Sequence, residues 1–312
     1  MKNYKLLLAS VLSGVILLLN FVALADSDKT GVVTIVRLQG QAQYSLDGGT
    51  TWNPVLVGKY LRPGSLIRTG DDGIVDILVG QTPAEKNVSF LKINGKDNPA
   101  PNVPPLQEHN MIRLRPNTTL GIDKLLVPDA DPTAISDAVL NLKKGRILAS
   151  VRKVSPSSEY FVKIPNGVAA VRGTQLNLSS DGSGSSTCSV VNGTVWLSFT
   201  ITDANGNPVS GPDGQPFPPI QVTINPGQTF SITPSLLGQL TNALKQAGAG
   251  TDIQTLINQL NLLANAAVET LDSGALDTLT EIMNSLTGLI LTITGDVNPP
   301  YDNGTPPTMT NQ

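Results

Sequence analysis

Thr194-Val195-Trp196-Leu197-Ser198-Phe199-Thr200-Ile201 decides the fold class. Val195, Leu197, Phe199 and Ile201 take every second position, so a pleated strand sends them to one face. Asn192-Gly193, just before, is a tight-turn signal, because glycine supplies the positive φ a turn needs. The same grammar extends outward in both directions. Val33-Thr34-Ile35-Val36 and Ile74-Val75-Asp76-Ile77-Leu78-Val79 are further strand-like runs bounded by Gly, Asn, Asp and Pro. A turn ending in glycine leads into a short strand at Gly40, Gly64, Gly145, Gly193 and Gly227, at irregular spacing, which excludes a fixed-period solenoid. Helical spacing is read only in a short stretch from Ile135 to Leu142. The prediction over 26–234 is an all-β domain, a sandwich or a short coil of strands. It has a Pro-rich insert at 98–105 and a Gly-, Pro-, Asn- and Asp-rich hairpin tip at 203–219.

The pattern changes after Pro234. Ile253, Leu256, Ile257, Leu260, Leu263, Ala264, Ala267, Val268 and Leu271 fall at helical spacing behind Thr251 or Asp252 as N-cap. Leu276, Leu279, Ile282, Met283, Leu286, Leu289 and Ile290 repeat it behind Asp272 or Ser273. Residues 235–294 therefore predict two or three amphipathic helices. Their apolar faces are expected to pack on the β-domain or on each other or, because 236–293 holds few charges, to form a partner or self-association surface. The stretch 295–312 reads as a disordered tail.

Composition removes several function classes. One Cys and one His among 312 residues exclude an internal disulfide framework, a Cys-based zinc site and a multi-His centre. With 21 basic against 24 acidic residues there is no basic surplus for nucleic acid. Charged residues make up 14% and hydrophobic ones 40%, which is not the balance of a disordered chain. The N-terminus reads as a signal peptide over 1–25: Lys2 and Lys5, an apolar run from Leu6 to Leu19, and Ala23-Leu24-Ala25 as the cleavage site. The apolar run is shorter than the ~20 residues of a membrane span. After cleavage the chain is expected to be extracytoplasmic, periplasmic or secreted, with no membrane span. Cys188 then lies in an oxidising space. Its strand-like context predicts a buried, inert thiol, with pairing to a second chain as the alternative.

A longer signature surrounds the opening strand. Pro165-Asn166-Gly167-Val168-Ala169-Ala170-Val171-Arg172-Gly173-Thr174-Gln175-Leu176-Asn177-Leu178 resembles the FecR domain, in which a Pro-x-Gly turn leads into Arg-Gly-Thr and a strand. Gly64-Ser65-Leu66-Ile67-Arg68-Thr69-Gly70 and Ile112-Arg113-Leu114-Arg115-Pro116-Asn117-Thr118 resemble upstream elements of that family. Asn192-Gly193 and Pro226-Gly227-Gln228 resemble downstream ones. The resemblance spans roughly Gly31 to Ile232. It marks Gly167, Arg172, Gly173, Thr174, Gly227 and Gln228 as structural signature residues. It implies a β-domain that contacts another envelope component. Well-known members relay outer-membrane transport signals to a sigma factor through a cytoplasmic N-terminal segment, which the expected signal peptide here replaces.

Candidate sites are few. Arg172 is expected to pin a turn through its guanidinium fork, or to bind an anion. Ser45-Leu46-Asp47-Gly48-Gly49-Thr50-Thr51-Trp52 matches an Asp-box hairpin, in which Asp caps turn amides; an exposed Trp52 would stack on a sugar. Asp203-Ala204-Asn205-Gly206-Asn207 resembles a calcium loop, but Gly214 stands where the closing Glu belongs, so a turn is expected. Asp181-Gly182-Ser183-Gly184-Ser185-Ser186 is likewise read as a turn. His109 stands alone beside Glu108, and no G-x-S-x-G elbow occurs. No catalytic residue, metal or cofactor is predicted. The expected function is binding or scaffolding at the bacterial cell envelope, toward a protein or glycan partner. The alternatives are an accessory in signalling linked to outer-membrane iron transport, or a carbohydrate-binding or carbohydrate-active protein, which would need two facing carboxylates.

Overall fold

The computed structural model describes residues 28–81, 110–128, 135–152, 158–203, 205–247 and 251–287. The expectations for the signal peptide at 1–25, the insert at 98–105, Glu108, His109, Leu289, Ile290 and the tail at 295–312 lie outside these residues.

The strands are β1 (Lys29–Thr30), β2 (Val32–Gln39), β3 (Ala42–Ser45), β4 (Asn53–Pro54), β5 (Tyr60–Leu61), β6 (Leu66–Thr69), β7 (Ile74–Gln81) and β8 (Asn110–Leu114). They continue as β9 (Thr119–Val127), β10 (Asp137–Ser150), β11 (Glu159–Ile164), β12 (Gly167–Ser180), β13 (Ser186–Phe199), β14 (Ile220–Ile224), β15 (Gln228–Ile232) and, between helices, β16 (Glu269–Thr270). Three helices close the described chain: α1 (Pro234–Gln246), α2 (Ile253–Asn265) and α3 (Ser273–Thr287). The chain is thus β-rich with a C-terminal helical segment.

Three 14-residue strands organise the molecule, because each serves two sets of partners. The first half of β10 pairs with β9 and, in parallel, with β11; its second half pairs with β8 and β12. The first half of β12 lies beside β11 and the second beside β10. The first half of β13 holds β15 and the second holds β14. The changeovers coincide with register shifts and with Gly145, Gly173 and Gly193, at φ 96°, 62° and 78°. A β-bulge adds a residue to one strand and bends it there. Gly145 and Gly193, expected to end turns between strands, are therefore bends inside continuous strands.

The two halves face each other. Phe199, on the second half of β13, tilts against Phe230 on β15 with ring centroids 5.8 Å apart. One core joins Leu140, Tyr160, Val195 and Val222 of one half to Ile147, Leu176, Cys188 and Ile232 of the other. The stretch from Ile135 to Leu142 is not helical, since Asp137 begins β10. Ala138, Leu140 and Leu142 are buried while Val139 and Asn141 turn outward. An i to i+4 pair of apolar residues satisfies both period two and period 3.6, so spacing alone misassigned it.

The helices bury their apolar stripes within the chain. Leu236, Leu240 and Leu244 of α1 and Leu256, Leu260 and Ala264 of α2 join the main core. Met283 and Leu286 of α3 form a second cluster with Val36, Leu78, Met111 and Leu148, on the outer face of the sheet. Asp252 is the N-cap of α2, accepting from the Thr255 amide at 2.8 Å, and Asp272 accepts from the Ala275 amide at 2.8 Å before α3. The segment 203–219 joins the antiparallel neighbours β13 and β14 as the expected hairpin tip, braced by Thr202–Pro208 and Ser210–Pro216 bridges.

Candidate binding face

The Arg-Gly-Thr signature is a device for bending β12. Gly173 adopts the left-handed conformation at the bend. Thr174, 1% exposed, places its Oγ1 3.1 Å from both the Arg172 and Thr194 carbonyl oxygens, so one hydroxyl serves the β12 and β13 backbones together. A Cβ on Gly193 would lie 2.4 Å from the Gly173 carbonyl oxygen, so the facing bend also requires glycine. Gly167 answers a different need, since a Cβ there would meet the Ser198 carbonyl oxygen at 2.7 Å. Gly227, at φ 75°, follows Pro226 in a turn closed by the Gln228 amide on the Asn225 carbonyl at 3.0 Å. Proline at the second position and a positive-φ glycine at the third define type II.

Arg172 does not pin this turn. Its side chain is exposed and, among the described residues, has no hydrogen-bond or ion-pair partner. Period two puts it on the outer face of β12 with Val168 and Ala170. Ala170 stands opposite Trp196 on β13 and Phe161 on β11, and Phe161 stands opposite Val139 on β10. A row Trp196, Ala170, Phe161, Val139 therefore crosses four adjacent strands. Trp196 is 51% exposed, and the other three are half-buried. Thr194, Ser198, Gln221 and Thr223 flank the tryptophan with neutral hydrogen-bonding groups. Farther across, Lys163 pairs with Asp123 at 3.0 Å and Lys124 with Asp137. This face combines an aromatic surface, an unpaired guanidinium and hydroxyls, a composition suited to contact with another molecule. Trp196 was within reach of the sequence: it lies in the strand that fixed the fold, on the parity opposite to Val195 and Leu197.

Trp52 is not the available aromatic. Asp47 accepts from the Thr50 and Thr51 amides at 3.0 and 2.9 Å, and Ser45 donates to it at 2.6 Å, as an Asp-box requires. These bonds, the Ser45 hydroxyl foremost, hold the Asp47 carboxyl well below the usual range. The Arg68 guanidinium lies 3.9 Å from the Trp52 ring centroid and is fixed by Gln43 at 2.6 and 2.9 Å. A face occupied by Arg68 is not open to a sugar, and the indole is half-buried.

The remaining candidates are turns or core. Asp203 accepts from the Asn205 and Asn207 amides at 2.8 and 2.9 Å, and Asp181 from the Ser183 amide at 2.7 Å. Cys188 is 1% exposed in the main core, and burial pushes its thiol up to about 12. Among the described residues no cluster of three metal-ligating side chains occurs, and no helix is long and apolar enough to cross a membrane.

The fold is β-rich with a C-terminal helical segment, and comparison adds which family one stretch of it matches. Residues 105–196 match the family model described as FecR protein, so the chain is a FecR domain-containing protein. The match covers β8 to most of β13, ends at Trp196, and is narrower than the resemblance read over Gly31 to Ile232. No curated protein matches the chain. Two crystal structures of a candidate anti-sigma factor from Parabacteroides distasonis are similar at low identity. One is 13% identical, covering 42% of this chain and 49% of its own, with TM-score 0.28. The other is 14% identical, covering 71% and 100%, with TM-score 0.28. The chain thus spans about half the length of the first.

Proposed function

We propose that this FecR domain-containing protein is a non-catalytic binding or scaffolding component of the bacterial envelope, exported by residues 1–25 and working outside the cytoplasm. The observation that carries the reading is the outward row centred on Trp196, with Arg172 on the same face. A solvent-facing tryptophan on a rigid sheet contributes contact area without the entropy of ordering a loop, and Trp and Arg are the residues on which interface energy concentrates. The partner is an envelope protein or glycan, and neither nucleic acid nor a bilayer is required. A role in signalling linked to outer-membrane transport is a second reading. It rests on the FecR domain alone and is tested by transporter and sigma-factor transcription in a deletion strain.

The test is retention of envelope components by immobilised mature protein. Wild type should retain a protein or polysaccharide that Trp196→Ala and Arg172→Ala each lose at least in part while the fold is unchanged. Equal retention by all three would move the interface elsewhere. N-terminal sequencing of the exported protein should begin at Asp26; a first residue of Met1 would remove the export reading.

A further inference from the structure

The β14 edge is closed by side chains in place of a strand. Among the described residues, β14 pairs with β13 on one side only. Alternate residues of an antiparallel strand direct their N–H and C=O groups to opposite sides, so every second residue of β14 presents unpaired groups at the free edge. Helix α2 meets them. The Gln221 amide donates to Asn261 Oδ1 at 2.9 Å and the Thr223 amide to Asn265 Oδ1 at 3.1 Å. Asn265 Nδ2 donates back to the Gln221 carbonyl at 3.0 Å. A carboxamide carries the same donor and acceptor as a peptide group, so Asn265 does for Gln221 and Thr223 what a neighbouring strand would do.

The repeats match. Residues four apart on a helix rise about 6 Å, and residues two apart on a strand about 6.7 Å. One helical turn therefore keeps step with one strand repeat, and Leu256, Leu260 and Ala264, buried beside the asparagines, fix that alignment. The closure continues beyond the helix. Pro219, one repeat before Gln221, has no amide to satisfy. Asn225, one repeat after Thr223, donates to Gln228 Oε1 at 2.9 Å. From 219 to 225 each outward amide is absent or taken by a side chain.

We propose that Asn261 and Asn265 are edge guards, and that without them α2 lifts from β14 and the uncovered edge accepts the same edge of a second copy. Ile220-Gln221-Val222-Thr223-Ile224 is β-branched at four of five positions and carries no charge or proline, the features that otherwise prevent strand addition. Two such edges related by a two-fold axis satisfy each other's groups in antiparallel register and keep both apolar faces on the same side. Gln221 and Thr223 are neutral, so no like charges oppose each other across the join.

The experiment measures molar mass by light scattering on the mature protein at micromolar concentration. Asn261→Leu/Asn265→Leu should form a larger assembly than wild type, starting with a dimer. Adding Thr223→Pro, which removes an outward amide at an edge position that tolerates proline, should restore the wild-type mass. A folded double variant with the wild-type mass overturns the proposal, as does an assembly that Thr223→Pro leaves intact. Should the double variant be insoluble, the milder Asn265→Ser, with and without Thr223→Pro, decides between the same outcomes.

Discussion

Replacing Asp76 by alanine should be among the most damaging single changes in the sheet. Asp76 on β7 is fully buried and stands opposite Arg113 on β8. The pair is bidentate, Nε to Oδ1 at 2.7 Å and Nη2 to Oδ2 at 2.9 Å, and the Arg113 side chain is only 6% exposed. Arg37 on β2 adds a looser contact at 3.6 Å from a side chain 33% exposed, which solvent screens. Both charges lie on the outer face of the sheet beneath α3, where Arg113 Nη1 also reaches the Ser285 hydroxyl at 3.2 Å. Removing one partner of a buried pair leaves the other charge uncompensated and costs about 3–5 kcal/mol. For a domain of this size that lowers Tm by roughly 6–20 °C. Replacing both charges by apolar side chains of similar volume is often neutral or stabilising, so Asp76→Leu/Arg113→Met should recover most of the loss. Urea and thermal denaturation of the two single variants and the double variant measure the coupling. A single variant within about 1 kcal/mol of wild type, or a double variant as unstable as the worse single, would refute the reasoning that α3 seals an ion pair whose partners depend on each other.

Three further outcomes are expected. Thr174→Val keeps the shape of the β12 bend but strips the donor shared by the Arg172 and Thr194 carbonyls, and should cost about 1–3 kcal/mol in urea denaturation; no change would mean the bend needs only its glycines. Cys188, buried with its thiol pushed up to about 12, should resist alkylation at pH 8 and react on unfolding; rapid native-state labelling would contradict its place in the core. The Asp252 carboxyl is lowered below its ordinary 3.8, chiefly by the Thr255 amide, so its stabilisation of α2 is complete above that value and is lost as pH falls through the lowered one. Acid titration followed by circular dichroism should show Asp252→Asn less sensitive than wild type below pH about 4; identical acid profiles would remove the cap from the account.

Strand alternation and helix caps are local signals, and both were legible. Val195, Leu197 and Phe199 point inward as their period requires, and Asp252 and Asp272 cap the helices they precede. The glycines at 40, 64, 145, 193 and 227 all adopt positive φ, because only glycine enters that region freely. Whether such a glycine ends a strand or bends one is not local. At Gly145 and Gly193 it depends on which strands lie alongside, and those partners come from distant parts of the chain.

By itself, then, the amino-acid sequence determined a β-domain followed by helices, the conformations its glycines would take, and a FecR signature around Arg172, Gly173 and Thr174. Tertiary structure decided which tryptophan is available. Trp52 has a face covered by Arg68, sixteen residues on, while Trp196 keeps the outward place its strand parity gives it, opposite Ala170 on β12 and Thr223 on β14. It also decided that asparagines on α2 take the place of a strand. Alternation and capping depend on residues a few positions apart, whereas exposure and edge closure depend on what the fold brings alongside.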